Sequence, residues 1–74
     1  MIEQEEKCRV IINNVWNGTA FGVRDDGLGE VVFTKRRTEQ LQLNHGDIVL
    51  CGVIPNRHDN GRTPWFCAKF YRHV

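Results

Sequence analysis

The chain has 74 residues, 41% of them hydrophobic and 26% charged, enough for one small globular domain and too little for a second core. A domain of this size buries only about 60% of the surface its unfolded chain exposes, which leaves no room for an enclosed catalytic cavity with a lid and excludes two-domain enzyme architectures. Ten Lys and Arg against nine Asp and Glu give a formal charge of +1, but Glu3, Glu5 and Glu6 precede every base, so residues 7–74 carry ten bases and six acids, or +4, a mildly basic body behind an acidic tip.

In chain order, residues 1–6 read as a flexible acidic lead, and residues 7–74 as a single domain. The start Met-Ile-Glu-Gln-Glu-Glu lacks the basic flank and apolar run of a signal peptide, and no stretch approaches 18 consecutive apolar residues. A cytoplasmic protein without membrane contact is expected, a monomer or weak homodimer. Lys7 to Trp16 alternates at strand period, with Cys8, Val10 and Ile12 on one side. Asn17-Gly18 is a turn dipeptide that accepts positive φ, and Thr19 to Arg24 follows as the second arm of a hairpin. After the turn Asp25-Asp26-Gly27-Leu28-Gly29, the β-branched and aromatic run Glu30 to Thr34 is a third strand.

Lys35 to Asn44 breaks this rhythm and predicts a loop with a helical turn, Thr38 being its cap. His45-Gly46-Asp47 turns the chain into the apolar run Ile48 to Ile54, a fourth strand stopped by Pro55. Asp59-Asn60-Gly61 turns it again into Pro64 to Arg72, a fifth strand with Phe66, Ala68 and Phe70 on one face and Trp65, Cys67, Lys69 and Tyr71 on the other. Phe33, Phe66 and Phe70 are expected in the core. Five short strands with a helical excursion between the third and fourth predict an all-β fold, a five-stranded Greek-key OB-fold barrel of cold-shock type, with an SH3-like barrel as the competitor.

The run Ala20-Phe21-Gly22-Val23, the acidic turn, and Glu30-Val31-Val32-Phe33-Thr34 resemble the cold-shock domain, whose adjacent strands carry a Gly-Phe-Gly-Phe-type and a Val-Phe-Val-His-type element. Leu43-Asn44-His45-Gly46-Asp47-Ile48-Val49 is similar to the Leu-x-x-Gly-Asp-x-Val segment that leads into the fourth strand of the cold-shock-like domains of ribonuclease R-type exonucleases and of the transcription terminator Rho. The resemblance spans roughly Val10 to Phe70 through short, degenerate motifs. It implies an OB barrel that binds single-stranded RNA or DNA without catalysis. It also places the family's ring and His positions on Phe21, Val23, Val32 and Thr34, of which Phe21 alone keeps a ring. Stacking contributes about 1–3 kcal/mol per base, so this departure predicts weaker binding or the use of other rings, for which Trp16 and Trp65 are candidates.

Single-strand recognition asks for exposed flat rings beside cations, the rings taking bases and the cations taking phosphates. Trp16, Phe21 and Trp65 are the predicted platforms, Val23, Val32 and Thr34 complete their surface, and Arg9, Arg24, Arg57, Arg62 and Lys69 are predicted backbone contacts with Lys35, Arg36 and Arg37 on the rim. The bland counterpart is that the rings are core and the Lys35-Arg36-Arg37 run is a solvated loop. Cys8, Cys51 and Cys67 are odd in number, widely spaced and without a CxxC pair, which signals neither a disulfide framework nor a zinc knuckle. No nucleophile elbow, P-loop or dinucleotide fingerprint is present, so no enzyme activity, metal or other cofactor is expected. The expected role is a nucleic-acid chaperone or a regulator of transcription or translation; the alternative is an OB barrel repurposed to grip a polymerase, nuclease or other protein.

Overall fold

The alternating, β-branched sequence that opens the domain forms an 11-residue strand, β1 (Glu6–Trp16), long enough to pair with two neighbours. The structure, a computed structural model, describes residues 5–56 and 63–74. Beyond β1 it contains β2 (Thr19–Arg24), β3 (Glu30–Val32), the helix α1 (Lys35–Leu41), β4 (Ile48–Pro55) and β5 (Trp65–His73). The strands close into a barrel in the order β1-β2-β3-β5-β4, antiparallel at every seam except β3 with β5. This is the five-stranded OB-fold arrangement expected from the strand inventory, with the helix where the excursion was predicted. Among the described residues no helix is long and apolar enough to cross a membrane.

The first half of β1, Glu6 to Ile11, pairs with β4, while Val10 to Trp16 pairs with β2. Between Ile12 and Asn14 the β1–β2 register slips by one residue. Such a bulge bends a strand and reverses the side-chain alternation beyond it. Cys8, Val10 and Ile12 therefore face inward, but Trp16 faces out. Backbone bonds from Ile12 N to Asp47 O (2.8 Å) and from Gly46 N to Ile12 O (2.7 Å) tie the bend to the turn before β4.

The interior is filled by Cys8, Val10, Ile12, Ala20, Val31, Phe33, Leu43, Val49, Cys51, Val53 and Cys67. Phe33 is the largest of the fully buried side chains, and its burial contributes about 1.5–3 kcal/mol relative to exposure. Thr34, not Thr38, caps α1: its backbone is extended and its hydroxyl accepts a bond from Arg37 N (3.1 Å). Thr38 lies buried one turn later, where its hydroxyl donates to Thr34 O (2.8 Å) and accepts from Ala20 N (3.1 Å), fixing the helix to β2.

The facing of β5 differs from strict alternation. Its register against β4 slips twice, between the partners of Val53 and Gly52 and between those of Cys51 and Leu50. Cys67 consequently lies inward with Phe70 packed partly against the core, while Phe66, expected inside, pairs with Val32 and Ile54 and lies half-buried outside the core cluster.

Room inside the barrel depends on Gly22. A Cβ there would come 2.5 Å from Val10 Cγ1 and 2.7 Å from Ile11 O, and the backbone oxygen has nowhere to go. Gly22→Ala is expected to destabilise the fold by about 1–3 kcal/mol or more, read as a lower urea midpoint with an unchanged slope; an unaltered midpoint would contradict this packing.

Candidate nucleic-acid interface

Strand register sorts the outer surface into rows, because directly paired residues share a face. One row runs Asn14, Phe21, Val32, Phe66 and Ile54 across β1, β2, β3, β5 and β4. Phe21 and Val32 are half-buried in it, consistent with the sequence expectation that Val31 and Phe33 point in while Phe21 and Val32 point out. Trp16 pairs with Thr19 and is 68% exposed, which places an open indole diagonally beside Phe21. Val23, also exposed, sits one row away, opposite Ile11 and Glu30.

The β1–β2 turn sets the margin of this surface. Asn17 and Gly18 both have positive φ, 54° and 81°, the conformation that a two-residue hairpin requires and glycine tolerates best. With no side chain at Gly18, the stem of Lys35 packs against it, Cε lying 3.0 Å from where a Cβ would stand. A cation is thereby held beside the turn that follows Trp16. Thr34 and Arg36 are exposed at the start of α1. Phe21 and Val32 are thus direct neighbours with Trp16 on the diagonal and Val23 on the flank, and Lys35 lies against Gly18 in the adjoining turn.

Arg24 and Trp65 belong to a different feature. Alternation along β2 turns Arg24 inward with Ala20 and Gly22, and it is only 5% exposed. Its Nε donates to Asp26 Oδ1 (3.1 Å) and its Nη2 to Asp26 Oδ2 (2.7 Å) and Glu6 Oε1 (3.3 Å). Nη1 has no hydrogen-bond partner among the described residues. The guanidinium lies 4.6 Å from the centroid of the Trp65 ring, and the indole Nε1 donates to Leu28 O (2.9 Å). Trp65 and Arg24 together plug one end of the barrel, so neither is presented as a base platform or a free phosphate contact. Inward parity of Arg24 after Ala20 and Gly22, with an acidic turn following, is the sequence signal for this plug.

Lys69 lies on another part of the outer surface, over the ring of Tyr71 (5.1 Å). Arg57 and Arg62 fall outside the described residues. Sequence reasoning missed Phe66 and Ile54 in the aromatic row, and missed a second apolar row made by Ile48, Ile11 and Val23; their outward facing follows only from register. Cys8 stands directly opposite Cys51 across β1 and β4. Burial pushes the Cys8 thiol up, and a hydrogen bond between the free Cys51 and Cys67 thiols, together with burial, pushes Cys51 up, so both stay protonated near neutrality. Among the described residues no group of three or more His, Cys, Asp or Glu is arranged to hold a metal ion.

The bond from Arg24 holds Asp26 below the ordinary carboxylate range, helped by a bond from Leu28 N. A folded-state value below the unfolded one means the stabilisation is complete above about pH 4 and is lost as pH falls through the lowered value. Wild type is therefore expected to lose more stability than Asp26→Asn on acidification below pH ~4, measured by urea unfolding at several pH values; parallel curves would remove Asp26 from the plug. No family model matches this chain, and neither a curated protein nor a solved structure matches it.

Proposed function

We propose that the protein is a non-catalytic binder of single-stranded RNA or DNA, acting as a nucleic-acid chaperone or a regulator of transcription or translation. The observation that carries this reading is the placement of Trp16, 68% exposed, beside Phe21 on one outer face with Lys35 held at its edge. An indole open to water is unusual in a domain with so small a core, and it suits stacking, which every base can supply regardless of sequence. Val32 and Phe66 extend the platform with apolar surface, and Lys35 and Arg36 offer charge to the phosphates. With one open indole and two half-buried phenyl rings, Phe21 and Phe66, the affinity expected is moderate and electrostatic in large part. The resemblance to the cold-shock domain supports the same face by analogy of motif position.

A second reading has its own observation. The row Ile48, Ile11 and Val23 exposes three aliphatic side chains side by side, each between 37% and 38% exposed. An uncharged aliphatic strip is the central feature of a protein interface and adds little to nucleic-acid affinity. Salt dependence separates the two readings, because phosphate neutralisation makes affinity fall steeply with salt and an apolar contact does not.

Titration of an oligothymidylate at low and moderate salt, followed by fluorescence, is the test. Trp16→Ala and Phe21→Ala are each expected to weaken binding by about 1–3 kcal/mol with unfolding midpoints close to wild type, whereas Trp65→Ala is expected to lower the midpoint through loss of the plug. Absence of binding at low salt would remove the nucleic-acid reading and leave the aliphatic row as the functional surface.

A further inference from the structure

The outer face of β1, β4 and β5 carries cations where the other half of the barrel carries rings. Register aligns Lys7, Gly52 and Lys69 in one row and Arg9, Leu50 and Arg72 in the next. The slip between these two rows lets Lys69 and Arg72, three residues apart, both face outward. Four cations therefore frame a patch whose middle column is uncharged, spaced about 10 Å across two strand intervals and about 7 Å along the strands. Among the described residues every ion pair within 4.0 Å belongs to Arg24, so none of the described carboxylates neutralises any of these four by direct contact. The two ammonium groups instead converge on one ring, Lys7 Nζ at 4.7 Å and Lys69 Nζ at 5.1 Å from the centroid of Tyr71.

An anion already sits at the centre of this patch, and the chain supplies it. The carboxylate of Glu5 lies directly over Gly52, where any Cβ would overlap it, and it accepts a hydrogen bond from the Tyr71 hydroxyl. That bond holds the Tyr71 hydroxyl above its ordinary range. The bare Gly52 floor makes the position possible, and a single carboxylate there engages the hydroxyl while reaching neither ammonium within 4.0 Å.

We propose that this face is a second binding surface, for the phosphodiester backbone of a nucleic acid, and that Glu5 is its built-in competitor, displaced from Gly52 and Tyr71 when the strand binds. The proposal rests on the reading that the chain binds nucleic acid and extends it to surface that reading does not use. A phosphodiester chain suits the patch because it repeats one charge per unit and engages several cations at once, and here four bases flank the uncharged column of Gly52 and Leu50. The outside of β1 joins the two surfaces, running from Lys7 and Arg9 past Ile11 to Asn14 and Trp16. A strand whose bases stack on Trp16 and Phe21 can continue with its phosphates over the cations.

The experiment is an anisotropy titration of a labelled oligothymidylate of about 12 nucleotides with wild type, Glu5→Gln, Glu39→Gln and Lys69→Ala. Glu39, exposed on α1, controls for the change in net charge. Glu5→Gln is expected to tighten binding about fivefold, Glu39→Gln to leave it unchanged, and Lys69→Ala to reduce the slope of log affinity against log salt by about one and to abolish the gain from Glu5→Gln in the double variant. Equal affinities for the two Gln variants overturn the inference, and the reading of the ring surface stands if Trp16→Ala still weakens binding. If no variant binds the oligonucleotide, that reading falls, and tripolyphosphate then decides the anion site: larger amide shifts at Gly52 and Lys69 in Glu5→Gln than in wild type uphold it, and their absence overturns it. Tighter binding of polyglutamate than of oligothymidylate by Glu5→Gln also overturns the assignment, giving the face to an acidic protein.

Discussion

Barrel closure through β1 is the constraint on which the rest of the molecule depends. A chain this short cannot stabilise an open sheet with long bare edges, so its first strand must pair with β4 along one half and β2 along the other. Passing from one partner to the other demands a sharp bend, and one extra residue at Asn13 supplies it. The same residue reverses the alternation, so that a strand whose first half buries Cys8, Val10 and Ile12 ends by exposing Trp16. The open indole is a consequence of how the barrel closes.

The narrow interior then sorts the aromatics. Val, Ile, Cys and Ala fill most of the core, and one phenyl ring, that of Phe33, is wholly enclosed. Trp65 lies at one end of the barrel and covers Arg24, whose burial is tolerated because two carboxylates meet its planar fork and an indole meets its face. Phe21 and Phe66 are left for the outer wall, where they line one row with Val32 between them. Charge is sorted by the same rule: the buried base, Arg24, is neutralised by the solvent-exposed carboxylates of Glu6 and Asp26, and the outward bases of β1 and β5 gather round Gly52 and Leu50.

The sequence by itself determined the five strands, the short helix and the barrel class, since alternation, turn dipeptides and Gly or Pro punctuation are local signals. It also determined the inward facing of Val31 and Phe33 and the outward facing of Phe21 and Val32, because β3 and the facing part of β2 keep strict alternation. What only the tertiary structure decided is every facing that lies beyond a register slip. Trp16 points out because of the extra residue at Asn13, and Phe66 points out and Cys67 in because β5 slips against β4. Likewise the pairing of Arg24 with Glu6, 18 residues earlier, and of Tyr71 with Glu5, 66 residues earlier, follows from strand order in space. The physical reason is that a one-residue shift turns a whole segment over, and whether a strand slips depends on which neighbours it must satisfy, which no local stretch of sequence contains.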